Sequence, residues 1–126
     1  MNQNKKKVLV VEDNKDFIWL LKQGFEHQDV SLVYALDGEE GLAMAEKEKP
    51  DLIIIDILLP KMDGIAMAKK IKEKEIKSQM IFLTNLKDEE HVSEAIGVEG
   101  SADYIIKSDM HVNDIVARVK DKLGLK

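Results

Sequence analysis

The sequence predicts one α/β domain in which five strand–helix units build a doubly wound, five-stranded parallel sheet. Three observations lead there. Short apolar runs rich in Val, Ile and Leu recur at 8–11, 52–55 and 80–83, and such runs read as strands buried on both faces of a parallel sheet. The segments between them carry apolar residues at helical spacing. Each run ends in a polar residue, Glu12 and Asp13, Asp56, or Thr84, at the carboxyl edge where open α/β sheets hold their ligands.

Composition sets the bounds. The chain has 126 residues, 44% hydrophobic and 34% charged, with a formal net charge of −5, which suits one soluble domain with a single real core. The negative balance gives no nucleic-acid footprint over the whole domain. Arg118 is the sole arginine, so bidentate arginine clamps on phosphate are not expected. The chain has no cysteine, which excludes disulfides, thiolate metal sites and a Cys nucleophile. The polar start of the chain is too poor in apolar residues for a signal peptide or a membrane insertion. Residues 1–6 are read as a frayed lead-in, 7–124 as the domain, and the compartment as cytoplasmic.

Taken in order, Lys7–Val11 is the first strand, and Asp13 or Asn14 caps the helix after it. That helix places Phe17, Leu20, Leu21, Gly24 and Phe25 on its core face, Ile18 at the edge of that face and Trp19 opposite it. Residues 30–35 form a short strand. Asp37-Gly38 turns into a second helix, which Pro50 ends. The stretch Leu52-Ile53-Ile54-Ile55-Asp56 is the central strand. Pro60 and Asp63-Gly64 mark the turn into a third helix whose face is Ile65, Ala68 and Ile71. Met80–Leu83 is the fourth strand, ending at Thr84-Asn85. A fourth helix through Glu89, Val92, Ala95 and Ile96 stops at Gly97 and Gly100. Residues 102–106 are the fifth strand, ending at Lys107. The last helix carries Val112, Ile115, Val116, Val119 and Leu123, and Gly124 closes it. Alternating strands and helices imply right-handed crossovers with helices on both sheet faces. Five such units suit the flavodoxin-like strand order 2-1-3-4-5.

In that order the first, third and fourth strands are neighbours, so Glu12, Asp13, Asp56, Thr84 and Lys107 converge on one pocket. Three close carboxylates repel one another and call for a cation. Hard oxygen ligands suit Mg²⁺. A carboxylate can also attack phosphorus, giving an aspartyl phosphate, and phosphoryl transfer is served mainly by positioning and charge stabilisation.

The sequence resembles the receiver domains of two-component response regulators, including stand-alone, chemotaxis-regulator-like ones, from Lys7 to about Gly124. The residues that carry the resemblance are Val11-Glu12-Asp13-Asn14, Asp56 with Leu59-Pro60 and Met62-Asp63-Gly64, Thr84, and Tyr104-Ile105-Ile106-Lys107. The resemblance implies a phosphoprotein with Asp56 as phosphoacceptor, and Mg²⁺ (or Mn²⁺ in its place) on Asp13, Asp56, the Leu58 carbonyl and, through water, Glu12. It implies Lys107 on the phosphoryl group and a switch formed by Thr84 and Tyr104. The implied partners are a sensor histidine kinase or histidine phosphotransfer protein, docking on the first helix at Phe17, Ile18 and Trp19, and a downstream protein target. The fourth helix, fifth strand and last helix would form the output or homodimer face. This sequence departs from the family pattern at Ser108, where Pro is usual, and at Asn85, where a small residue is usual. Leu58 and Leu86 flank the expected path of the hydrolytic water and cannot orient it by hydrogen bonding, so slow self-dephosphorylation is expected.

The leading expectation is a stand-alone phosphoacceptor that signals by protein contact and is not otherwise an enzyme. A second is the receiver portion of a longer regulator with a DNA-binding or enzymatic output domain. A third, from another class, is a small Mg²⁺-dependent phosphatase with an aspartyl nucleophile. His27, His91 and His111 do not fall at strand ends, which leaves that third reading without an acid/base.

Overall fold

The computed structural model describes residues 5–84, 103–107 and 111–125. Five strands, β1 (Lys6–Val11), β2 (Val30–Ala35), β3 (Leu52–Asp56), β4 (Gln79–Thr84) and β5 (Asp103–Ile106), form one parallel sheet in the order β2-β1-β3-β4-β5. Four helices are described: α1 (Lys15–Phe25), α2 (Gly38–Glu48), α3 (Gly64–Glu73) and α4 (Val112–Lys122). The helix expected between β4 and β5 lies outside the described residues, as do Asn85, Leu86, His91 and Ser108.

The parallel register fixes where the site forms. Val10 pairs with Tyr34 on one side and Ile54 on the other, and Asp56 pairs with Leu83. The carboxyl ends of β1, β3, β4 and β5 therefore finish at nearly one level. Strand side chains alternate between faces, so the apolar runs supply two cores. Val8, Val10, Leu52, Ile54, Ile81 and Leu83 pack under α1 and α4. Leu9, Val11, Ile53, Ile55, Met80 and Phe82 pack under α2 and α3. Two-sided burial is why these strands read as unbroken apolar runs.

The helices start where their sequences say they should. Asn14 Oδ1 accepts from the Phe17 amide at 3.1 Å, Asp37 from Glu40 at 2.8 Å, and Asp63 from Ala66 at 2.9 Å. These bonds satisfy amides that have no partner within the helix. Of the two candidates for the α1 cap, Asn14 takes the role and Asp13 stays outside it.

The core face of α1 differs from the sequence expectation. Ile18, Leu21 and Phe25 are buried, whereas Leu20 is 44% exposed. At about 100° per residue, Ile18, Leu21 and Phe25 cluster on one line, and Phe17, Leu20 and Gly24 fall on its flank. That flank turns toward α4: a Cβ on Gly24 would come within 2.6 Å of Val112 and 2.9 Å of Val116. Ile18 is therefore a core residue, only 4% exposed. The apolar Leu20 misled the periodicity because it is an exposed leucine beside a helix–helix contact.

Candidate functional site

Each candidate side chain is placed by the backbone bond next to it. The Glu12 amide donates to Ala35 O at 3.0 Å, one step beyond β1. The Lys107 amide donates to Thr84 O at 2.9 Å, one step beyond β5. The Ile57 amide donates to Leu83 O at 3.0 Å just past Asp56, and the Gly64 amide to Ile57 O at 2.9 Å. The loop from Asp56 to α3 is thereby folded back onto its own strand. Gly64 is needed there, because a Cβ would collide with the Asp56 carbonyl oxygen. The sequence offers Gly64 only as a helix-entry signal; its contact with the back of Asp56 emerges from the fold.

The structure brings together Glu12, Asp13, Asp56 and Lys107. A carboxylate oxygen from each of the three acids lies within 4.8 Å of the others. Lys107 Nζ reaches Glu12 Oε1 at 2.7 Å and Asp56 Oδ2 at 3.1 Å. The other Glu12 oxygen accepts from the Asn14 amide at 3.0 Å. The other Asp56 oxygen accepts from the Leu58 amide at 3.0 Å. Asp56 is only 7% exposed and Glu12 is fully buried, while Asp13 faces solvent.

Burial dominates the electrostatics. It pushes the Glu12 carboxyl up to about 7, opposed by the hydrogen bond from Lys107 and aided by the nearby Asp56 carboxylate. For Lys107 burial works against the charge, but the bond to Glu12 and the attraction of Asp56 outweigh it and hold its ammonium above the usual range. Three carboxylates against one ammonium leave a surplus of negative charge, and hard oxygen donors in that arrangement fit a divalent cation.

Thr84 closes β4 beside the pocket and is buried. Tyr104 lies on β5 and is 40% exposed, an outward position. Phe17, expected as a docking residue, lies beneath the site lysine: Lys107 Nζ stands 4.8 Å above its ring. No local pattern in the sequence signals that contact. His27 lies just beyond the end of α1, and His111 precedes α4, where its amide donates to Asp114 at 3.2 Å.

Comparison with known proteins agrees with this geometry. Residues 8–120 match the family described as the response regulator receiver domain. The chain is 39% identical over 115 residues to the alkaline phosphatase synthesis transcriptional regulatory protein PhoP of Bacillus subtilis, covering 91% of this chain and 47% of that one. It is 36% identical over 109 residues to the probable C4-dicarboxylate response regulator DctR of Bacillus subtilis, covering 80% and 45%. The chain thus spans about half the length of these curated relatives. Among solved structures, the receiver domain of Francisella response regulator 1452 superposes with a TM-score of 0.81 at 31% identity, covering 92% of this chain and 94% of that one. A CheY-like receiver domain protein from Methanospirillum hungatei gives 0.85 at 28% identity, covering 94% of each.

Proposed function

Because the chain belongs to the response regulator receiver domain family, we propose that it accepts a phosphoryl group on Asp56 from the phosphohistidine of a sensor histidine kinase or histidine phosphotransfer protein. The observation that carries this reading is the Asp56 carboxylate itself. It sits at the end of the central strand, with one oxygen on Lys107 and the other on the Leu58 amide. In the transfer an Asp56 oxygen forms the new P–O bond, the P–N bond to the imidazole breaks, and its electron pair returns to the ring nitrogen.

Lys107 would neutralise an oxygen of the incoming group, and the Thr84 hydroxyl would donate to another. Asp13, Asp56 and the Leu58 carbonyl would hold Mg²⁺ directly and Glu12 through water, with Mn²⁺ as a substitute. When bound, the ion would offset charge on the phosphoryl oxygens. The switch would be Thr84 moving toward the phosphoryl group while Tyr104 turns inward from its exposed position. The receiver domain is assigned to residues 7–124. Its downstream target would be a protein, and the face formed by the helix expected before β5, β5 itself and α4 would be the output or homodimer surface.

Intact mass after incubation with acetyl phosphate and Mg²⁺ tests the reading. One added phosphoryl group is expected in the wild type, none in Asp56→Asn, and none when a chelator removes the metal. Catalytic turnover of simple phosphate esters would instead support the phosphatase reading.

A further inference from the structure

Two of the three exposed aromatic side chains among the described residues lie together, the third being Tyr104 on β5. Trp19, the single tryptophan of the chain, is 57% exposed, and Tyr34 is 46% exposed. They come together with Ile18, Leu36, Lys15 and Lys22 around a groove of about 320 Å³ between α1 and β2. This is a different flank of α1 from the one that meets α4. On the helix, Lys15, Trp19 and Lys22 follow one another at spacings of four and three and so share a face. Tyr34 lies on β2 and Leu36 immediately follows its end, and both line the groove. β2 is the outermost strand of the sheet, so the groove opens at the sheet's edge. Phe17, by contrast, turns toward Lys107.

We infer that this α1–β2 groove, which takes Ile18 and Trp19 out of the docking surface expected for the kinase and leaves Phe17 beside Lys107, is a docking site of its own, occupied by an acidic segment of a partner protein that inserts one large apolar side chain beside Trp19 and Tyr34. Three observations favour that occupant. Trp and Tyr in a concave patch supply contact area at low entropic cost and are enriched at binding hot spots. Both charged side chains lining the groove are lysines, although the chain as a whole carries −5. Lys22 Nζ is held 5.1 Å above the Tyr34 ring, so its charge stands at the rim. A second copy seated on the same patch would bring Lys15 and Lys22 against their own counterparts, because a two-fold contact is self-complementary. Like charges facing each other oppose that arrangement.

The test is selection of a random-peptide display library on the immobilised full chain. Enriched peptides are then titrated into the protein while the emission of Trp19 is followed. Enriched sequences should carry a large apolar residue flanked by Asp or Glu, and should shift that emission to the blue. Anisotropy of a labelled peptide should show binding weakened about tenfold or more in Trp19→Ala and in the Lys15→Glu/Lys22→Glu pair. It should also weaken as salt rises. Lys22→Glu should still take one phosphoryl group from acetyl phosphate, which checks the fold and keeps this result separate from the Asp56 assignment. No enrichment, enrichment without acidic residues, or binding indifferent to these substitutions would overturn the inference. So would a blue shift that grows with protein concentration alone, which would assign the groove to self-association.

Discussion

Glu12→Gln isolates the energetic cost of the acidic pocket. Glu12 is fully buried, and burial raises its carboxyl from 4.5 to about 7. The folded chain therefore holds this proton more tightly than the unfolded chain. Where the folded state binds more protons, stability falls as pH rises. The wild type should lose stability between about pH 4.5 and 7 and level off above that. The size follows from about 1.4 kcal/mol for each tenfold change in proton affinity, giving a loss on the order of 3 kcal/mol. In a chain of this length that is a fall in Tm of roughly 10 °C. Gln keeps the shape and an acceptor for the Asn14 amide but cannot ionise. The difference between wild type and Glu12→Gln should therefore trace this group alone, while titrations common to both proteins cancel.

The assay is urea unfolding in chelator at closely spaced pH values, read by far-ultraviolet circular dichroism and by Trp19 fluorescence. The wild type should be the relatively more stable protein at the acid end and lose that advantage as pH rises to 7. A difference that is flat, or that grows with pH, would refute the account of Glu12. Repeating the series in saturating Mg²⁺ probes the metal assignment. A cation that binds the ionised carboxylates stabilises the folded state by mass action and cancels the loss at neutral pH. An unchanged pH profile in Mg²⁺ would remove Glu12 from the metal site.

Other consequences are read more directly. Lys49, just past α2, sits at φ 47° and ψ 60°, a left-handed conformation that costs a side-chain-bearing residue; Lys49→Gly should gain about 0.5–1 kcal/mol in urea unfolding. Ile54 is fully buried in the central strand, and Ile54→Ala should cost about 2–5 kcal/mol by the same measurement. Gly64→Ala should force the start of α3 away from the Asp56 carbonyl, lowering both stability and the initial rate of phosphorylation by acetyl phosphate; a normal rate would show that the loop absorbs the methyl group. If Leu58 and Leu86 exclude an ordered hydrolytic water, Leu58→Asn/Leu86→Glu should shorten the phosphoryl half-life, and a half-life longer than that of the wild type would contradict the idea.

Much of this architecture was legible in the residues. The apolar runs announced buried strands because both faces of the sheet are covered. The strand order followed from the alternation with helices. The site residues stood out because polar groups at the ends of buried strands have little structural reason to be Glu, Asp and Lys together. Three features were hidden. The rotation of α1 could not be settled by periodicity, since Phe17, Ile18, Leu20 and Leu21 are all apolar and only the contact of Gly24 with α4 decides which line faces the sheet. The reason for glycine at 64 lies in the carbonyl of a residue eight positions earlier. The basic, aromatic groove joins α1 to β2, segments whose contact no local pattern encodes.

The site's charges and its framework divide the work differently from the core. Glu12 and Lys107 are fixed by backbone bonds to Ala35 and Thr84, so they cannot drift apart to relieve the crowding of three carboxylates. A flexible pocket would relax that repulsion by moving. This one keeps it, with Lys107 as the counter-charge found among the described residues. A phosphoryl group on Asp56 would draw Lys107 away from Glu12, which is buried and then poorly compensated. The bond at 2.7 Å between Lys107 and Glu12 is thus the interaction whose loss would report that Asp56 has been modified.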